Sequence, residues 1–384
     1  MKEELAEQLL GIEMEWDVPS AKEEIIKLRY LTAVKYDNYR NFEAGKRFLE
    51  SFVLWLRQFK TVEERKTAYN FIMNRLLYVS EMQMDHLVDL AYPQRILPIL
   101  LKQTVDIEKQ KFSPYQIKKI RTSETFKEIR RKTLFLGMSD SARMDAFRRK
   151  HNLNNEQMNV YYELSKDKWT RMHNDLHYWL DANGSETESS FKNIFLIDDF
   201  SGSGNSILRK EGNEFKGKLA RFIKRYLGTK KESGTLREYC SKEDLKLFIL
   251  TYIATQEAIN RLKENKEEFI RNHCDSPNFA SCEILEPLQL IEDEEKVPRT
   301  DNRIDEAFGE LLERYYDDRI EDYHTKTGGP DVKYGYAGCA LPLVLCHNCP
   351  NNSLYLLWAE SERAGDRPGL KALFPRISRH LEER

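Results

Sequence analysis

Residues 193–206, Asn-Ile-Phe-Leu-Ile-Asp-Asp-Phe-Ser-Gly-Ser-Gly-Asn-Ser, constrain this chain more than any other segment. An apolar run ends in two adjacent carboxylates, Asp198 and Asp199, and passes into a loop of serine and glycine. A buried strand that ends in small residues just ahead of a helix is how open α/β sheets bind phosphate. Loop amides and the helix N-terminus then face the anion. Ile207-Leu208-Arg209-Lys210 is expected to begin that helix. A Walker loop is excluded because no Lys follows Gly204, and a Rossmann turn because Ser206-Ile207 carry no third glycine. The bland alternative is a strand end followed by a turn rich in Asp, Ser and Gly.

The order of apolar strand, Asp-Asp and Ser203-Gly204-Asn205-Ser206 resembles the phosphoribosyl diphosphate loop of type I phosphoribosyltransferases, with serine where those proteins have threonine. The resemblance implies that Ser201, Gly202, Ser203, Gly204, Asn205 and Ser206 bind a 5-phosphate through their amides. It also implies that Asp198 and Asp199 hold the ribose hydroxyls and stabilise positive charge developing at the anomeric carbon.

At 384 residues the chain is long enough for two or three domains. With 61 Lys plus Arg against 63 Asp plus Glu, total charge makes no case for nucleic-acid binding. The N-terminus lacks the apolar core of a signal peptide, and no apolar run approaches ~18 residues, so no membrane span is expected. Six cysteines without a secretion signal imply reduced thiols and a cytoplasmic location.

Residues 1–130 read as a helical N-terminal domain. Phe48, Phe52, Trp55, Leu56 and Phe59 recur at three- and four-residue steps, Thr61-Val-Glu-Glu has the form of a capping box, and Pro93 and Pro98 are expected to interrupt the next helix. From Lys118 to Lys132 seven cations fall within fifteen residues. They form either a solvated face or a contact for a polyanion. Residues 131–384 read as an α/β domain: a short strand at Thr133–Gly137, a helix capped by Ser139 or Asp140, an aromatic helical segment at Val160–Trp179, and the Asp-Asp strand. Leu245–Ala254 is expected to lead into a helix at Gln256–Asn272, and Cys282–Ile291 to form a further strand. This alternation predicts a doubly wound sheet. Residues 293–334, charged and turn-rich, read as an insertion or lid.

With the tail included, the chain resembles the phosphoribosyltransferase-like effector family of bacterial conflict and antiviral loci, including retron-type systems. The shared tokens are Trp55-Leu56, Phe59 and Glu63-Glu64-Arg65, then Leu136-Gly137 with Asp140, and Asp198 to Gly204. His347-Asn348, Pro350-Asn351-Asn352-Ser353, Trp358 and Leu373-Phe374-Pro375-Arg376 complete them. The resemblance implies a type I phosphoribosyltransferase-like α/β fold with an N-terminal all-α domain. It implies a phosphoribosyl diphosphate or nucleotide substrate and magnesium on the pyrophosphate. As partners it implies a reverse transcriptase, its DNA or RNA product, and other defence proteins. The loop that grips pyrophosphate in well-studied members would correspond to Gly137–Arg143, which has no Lys; Arg143 is its nearest cation. Further candidates for that loop or for substrate contact are Gly137, Asp140, His347, Asn348, Asn351, Asn352 and Arg376. Arg379 and His380 join them if the tail folds over the site.

Cys346-x-x-Cys349 is half of a zinc motif, but Cys339 and His347 are poorly spaced for the other half, so no protein-bound zinc is assigned. His173 and His177 lie four apart without the Glu of a metalloprotease helix. Ser203 has no assignable His and Asp partners for hydrolysis. Three functions remain open: a glycosyltransferase acting at the anomeric carbon of a ribose 5-phosphate substrate; a non-catalytic nucleotide- or nucleic-acid-binding module within a defence nucleoprotein complex; and a scaffold in such a complex, resting on the basic stretch at 118–132 and the helical N-terminus.

Overall fold

The computed structural model describes residues 2–109, 111–113, 115–227, 236–273, 279–297, 303–321, 323–365 and 368–377. Arg379 and His380 lie outside the described residues. In chain order the strands are β1 (Leu77–Val79), β2 (Thr133–Gly137), β3 (Met158–Asn159), β4 (Asn193–Ser201), β5 (Arg209–Glu211), β6 (Glu214–Lys216), β7 (Lys246–Thr255), β8 (Ser281–Ile284), β9 (Gln289–Ile291) and β10 (Leu343–Leu345). Contacts divide the chain into two compact units. One is Asp85–Ile291; the other joins Met1–Met84 to Glu292–Arg384.

The Asp85–Ile291 unit is built on a parallel sheet in the order β3-β2-β4-β7-β8, with β9 pairing the far end of β7. The three central strands are apolar because both of their faces are covered. Register places Phe135, Phe195 and Phe248 side by side on one face, with ring centroids 5.6 and 4.6 Å apart. That row packs on Phe147 of the Met144–Lys150 helix. The alternate residues, Leu134, Leu136, Ile194, Leu196, Leu247 and Ile249, join the other core. There they meet Trp169, Met172 and Leu176 of the Lys166–Ala182 helix and Ile259 and Leu262 of the Gln256–His273 helix. The sheet is thus doubly wound, as the strand and helix alternation predicts.

The second unit shows why a cut at residue 130 does not describe the chain. Its N-terminal helices are completed by the C-terminal segment, not by the helices that follow them. β1 pairs in parallel with β10, Leu77 opposite Leu343. Trp55 Nε1 donates to Leu356 O at 2.7 Å, and Tyr39 OH donates to Pro375 O at 2.8 Å. The Thr61 capping box is present, and it opens the Val62–Arg75 helix. Within 293–334, the Arg303–Arg314 helix is core and neither insertion nor lid. Phe308 stacks on Phe71 at 3.8 Å, and the buried Asp305 accepts Arg75 Nε at 2.8 Å.

Other local expectations also change. Pro93 and Pro98 do not break the helix after Ser80. Glu81–Ala91 runs through a wider turn at Tyr92–Ile96 into Leu97–Ile107, which accommodates the missing amides. The segment 160–165 stays outside the helix that begins at Lys166, where Ser165 caps Lys168 N at 3.3 Å. Cys282–Ile291 is two short strands, β8 and β9, separated around Pro287. No helix among the described residues is long and apolar enough to cross a membrane.

Candidate active site at the end of β4

β4 carries Asp198 and Asp199 inside the sheet, 2% and 7% exposed. Successive strand residues alternate faces, so Asp198 follows Leu196 and Asp199 follows Ile197. Ser139, two residues beyond β2, spans that divergence. Its hydroxyl donates to Asp198 Oδ1 and lies 3.5 Å from Asp199 Oδ1. Ser139 was expected to cap a helix; its side chain caps nothing and turns to the acids instead. Lys218 Nζ donates to Asp198 Oδ2 at 2.7 Å. Burial pushes the Asp198 carboxyl well above the usual carboxylate range; Lys218 opposes that rise and the Asp199 charge adds to it.

Tyr252 and Arg143 complete the cluster. Tyr252 is fully buried and donates from its hydroxyl to Ala142 O at 2.9 Å. Burial raises its pKa, Asp199 and Asp198 raise it further, and Arg143 opposes them, which puts the four groups in one electrostatic neighbourhood. Arg143 holds φ at +52°, a left-handed conformation rare for a side chain of this size, and its Nη1 donates to Asp85 Oδ1 at 2.9 Å. Gly137 ends β2 where a Cβ would stand 2.1 Å from Val160 O, so only glycine fits. Asp140 opens the turn after Ser139 and is exposed. Two buried hydroxyls beside the acids, Ser201 Oγ and Thr251 Oγ1, have no hydrogen-bond partner, and Thr251 sits opposite Asp198 in the ladder. Unpartnered buried hydroxyls in a native fold call for a ligand or ordered water.

The loop Ser201–Ser206 is not followed by the expected helix. Arg209–Lys216 is a β-hairpin, β5 with β6, closed by Gly212-Asn213, and helix resumes only at Lys218. The competing turn chemistry of Glu-Gly-Asn-Glu prevails over the apolar Ile207-Leu208. A helix terminus is supplied from elsewhere in the chain. The Gln256–His273 helix starts under the loop, where Thr255 Oγ1 donates to Gly202 O at 2.6 Å and accepts Ala258 N at 3.0 Å. Gly204, at φ +76°, packs on the first turns of that helix, where a Cβ would meet Ala258 O and Leu262 Cγ at 3.1 Å. Arg261 of the same helix donates from Nη1 to Ser203 O at 3.3 Å. Ser206 is exposed and Asn205 is half-buried. The loop therefore has the small residues, helix terminus and neighbouring cation that an anion site uses.

Ser139 enters the sequence analysis only as a cap and as part of the Gly137–Arg143 loop; Lys218, Tyr252, Thr255 and Arg261 also belong to this neighbourhood and are missing from that analysis. Each is an isolated residue of ordinary type, brought in by the sheet order and not by a local pattern. His347, Asn348, Asn351, Asn352 and Arg376 lie in the other unit. There Asn348 Oδ1 accepts Asn41 Nδ2 at 2.8 Å and Ile377 N at 3.2 Å. Asn352 Nδ2 donates to Tyr336 O at 3.2 Å, and Asn351 O accepts Tyr336 N at 2.6 Å. The Arg376 guanidinium stands 5.6 Å over the Trp358 ring. Cys339, Cys346 and Cys349 are buried thiols outside any disulfide, and Cys339 Sγ accepts Asn352 Nδ2 at 3.2 Å.

Among the described residues no cluster of three or more His, Cys, Asp or Glu side chains could cage a metal ion. The two carboxylates at the end of β4 are of the donor type that magnesium takes one or two of, keeping its remaining positions for phosphate and water.

No curated protein and no solved structure matches the chain. The PRTase-CE family matches residues 53–376, which include the acid pair, the loop after it and most of both units. With a parallel α/β sheet behind that match, the chain carries a phosphoribosyltransferase-type domain and belongs to the PRTase-CE family.

Proposed function

We propose that the Asp85–Ile291 unit catalyses phosphoribosyl transfer or its reverse at the anomeric carbon of a ribose 5-phosphate substrate, a nucleotide or phosphoribosyl diphosphate. The observation that carries this reading is the pairing of two buried carboxylates with unpartnered hydroxyls at the mouth of a glycine loop. The amides of the Ser203–Ser206 stretch receive the 5-phosphate. Asp198 and Asp199 accept hydrogen bonds from the ribose hydroxyls. As the bond from C1 to its leaving group breaks, the electron pair departs on pyrophosphate or base and positive charge spreads over C1 and the ring oxygen. The two carboxylates lie fixed and desolvated beside that charge, where electrostatic stabilisation is strongest. An acceptor lone pair then closes the new bond to C1, and the acceptor's proton passes to solvent. Magnesium bound to pyrophosphate would supply neutralisation of the leaving charge.

Replacing both acids by asparagine keeps shape and removes charge. The double variant Asp198→Asn, Asp199→Asn is expected to lose about 10²–10³-fold in turnover while keeping its fold. The measurement is pyrophosphate or base release by the purified full chain, alongside a nucleotide-pool profile of cells expressing each form. Equal activity in a folded double variant would sink the enzymatic reading.

The Lys218–Asp198 ion pair favours a second reading, in which the same loop binds a nucleotide without turning it over. Binding that survives in the double variant, with no turnover in either form, would support it. We also propose a cytoplasmic role as an effector of an antiviral defence complex with a reverse transcriptase and its DNA or RNA product. Family resemblance alone supports this proposal; co-purification of the chain with its genomic neighbours tests it.

A further inference from the structure

A second group of cations lies at the opposite end of β2 from the acid pair. A cavity of about 420 Å³ opens beside the Glu124–Arg131 helix and the turn that leads into β3. Arg121, Lys127, Arg130, Arg131 and Lys150 line it, and among the described residues no carboxylate does. Its volume falls within the range of small-molecule sites, and Trp179 gives it an aromatic wall.

Arg131 is the unusual member. It is 4% exposed, and its Nε and Nη1 have no hydrogen-bond partner. Burial pushes its pKa down while the charges of Glu156 and Asp175 push it back up, yet neither carboxylate reaches Nε or Nη1. A guanidinium does not discharge in a protein, and a buried charge without a partner is strongly destabilising. Arg130 beside it is partly committed: Nη2 donates to His151 O and Asn152 O, both at 2.9 Å, and Nε is also unpartnered. Lys127 and Lys150 are held by the surface carboxylates Glu124 and Asp89, at 2.7 and 3.0 Å. Such exposed pairs contribute little and exchange readily for another anion.

Guanidinium and ammonium donors lining one cavity match the tetrahedral oxygens of a phosphate, and the ring of Trp179 in the same lining matches a planar body attached to it. We infer that this cavity is a second ligand site, which binds a nucleoside monophosphate with its phosphate on Arg131 and Arg130 and its base against Trp179. The site is separate from the Ser201–Ser206 loop. β2 starts level with Asn193, and Ser201 lies eight residues further along β4, so at roughly 3.3 Å per residue the two sites stand about 25 Å apart. The basic run at 118–132 thereby divides. Lys132 is buried against Glu128 and Thr187, Lys118 and Lys119 face solvent, and the residues between them build the cavity.

The test uses the full chain, with AMP, inorganic phosphate and a 5′-phosphorylated oligonucleotide as probes in calorimetry and hydrogen exchange. AMP is expected to bind and to protect amides within 121–133 and 150–157. Arg131→Met should keep or raise the melting temperature without ligand, because it removes a buried charge two of whose donors have no hydrogen-bond partner, and should weaken AMP binding at this site roughly 10–100-fold. Arg121→Glu, an exposed change that spares the fold, should weaken it in the same direction. The Asp198→Asn, Asp199→Asn variant should leave protection at 121–133 unchanged, which separates this site from the acid pair. The inference is overturned if AMP does not bind, if its protection is confined to 198–208, or if both cavity variants bind it as wild type does. Inorganic phosphate binding as tightly as AMP overturns the nucleotide assignment. So does an oligonucleotide that binds with steep salt dependence where AMP does not.

Discussion

Asp198–Ser206 and Cys346–Ser353 are equally conspicuous as strings of residues, and they differ in how their polar atoms are used. In the second segment Ser353 Oγ donates to Leu343 O at 2.6 Å and Cys349 N donates to Tyr39 OH at 3.0 Å. Asn348 and Asn352 bridge separate stretches of chain, as described above. These groups do the work of a scaffold. At the end of β4 the hydroxyls of Ser201 and Thr251 are buried and unpartnered, and a carboxyl is driven above its usual pKa by burial. Hydrogen bonds that tie separate stretches of chain together mark structure; two adjacent buried carboxylates at a strand end, one of them shifted in pKa, mark a place where something else binds.

The comparison breaks first at Phe374. If the C-terminal segment is core, removing this ring is costly; if it is a lid over substrate, stability hardly changes. Phe374 is fully buried among Tyr39, Phe48 and Tyr78, at ring distances of 5.2, 5.6 and 5.8 Å. Phe374→Ala is expected to cost about 3–5 kcal/mol, read from urea denaturation of the full chain. A loss below about 1 kcal/mol, with a change in substrate affinity, would return the tail to the site.

Legibility followed the range of the interactions. β2, β4 and β7 were readable because a strand covered on both faces is apolar without interruption, and the Gln256–His273 helix because its pattern is long. Asp198, Asp199 and Gly204 were readable because they are consecutive with such a strand. The association of residues 1–84 with 292–384 was not, since nothing local to Leu77–Val79 names Leu343–Leu345 as its partner. Lys218 was hidden for the same reason. The hairpin at Arg209–Lys216 was legible in principle, because Gly-Asn between short polar strands is a turn signal, but the expectation of a helix after a phosphate loop displaced it.

Asn348 sharpens the comparison at a smaller scale. Its amide accepts two hydrogen bonds and donates a third, to Ile377 O at 3.1 Å. Asn348→Ala should cost about 1–3 kcal/mol of stability by leaving those groups without it, and turnover per folded molecule should stay at the wild-type value. A fall in turnover with unchanged stability would restore a substrate role to this segment.

The smallest expected effect, and the most specific to the acid pair, is a displacement along the pH axis. On the proposed reading Asp198 acts as a carboxylate, and turnover should fall as pH drops through its pKa. Burial holds that pKa high and Lys218 holds it down. Lys218→Met removes the opposing charge, and the acidic limb of kcat/KM should move to higher pH. Stability follows with its own sign. A carboxyl whose folded pKa lies above its unfolded value leaves the folded state binding more protons, so its contribution is fully present below the unfolded pKa and is lost as pH rises through the folded one. The variant should therefore lose stability relative to wild type as pH rises through that window. Kinetics and urea denaturation across one pH series check both limbs together. A kinetic limb that stays in place would mean that the ionisation controlling turnover is not that of Asp198, and the contrast between the acid pair and the scaffold would then have to be argued from Asp199 alone.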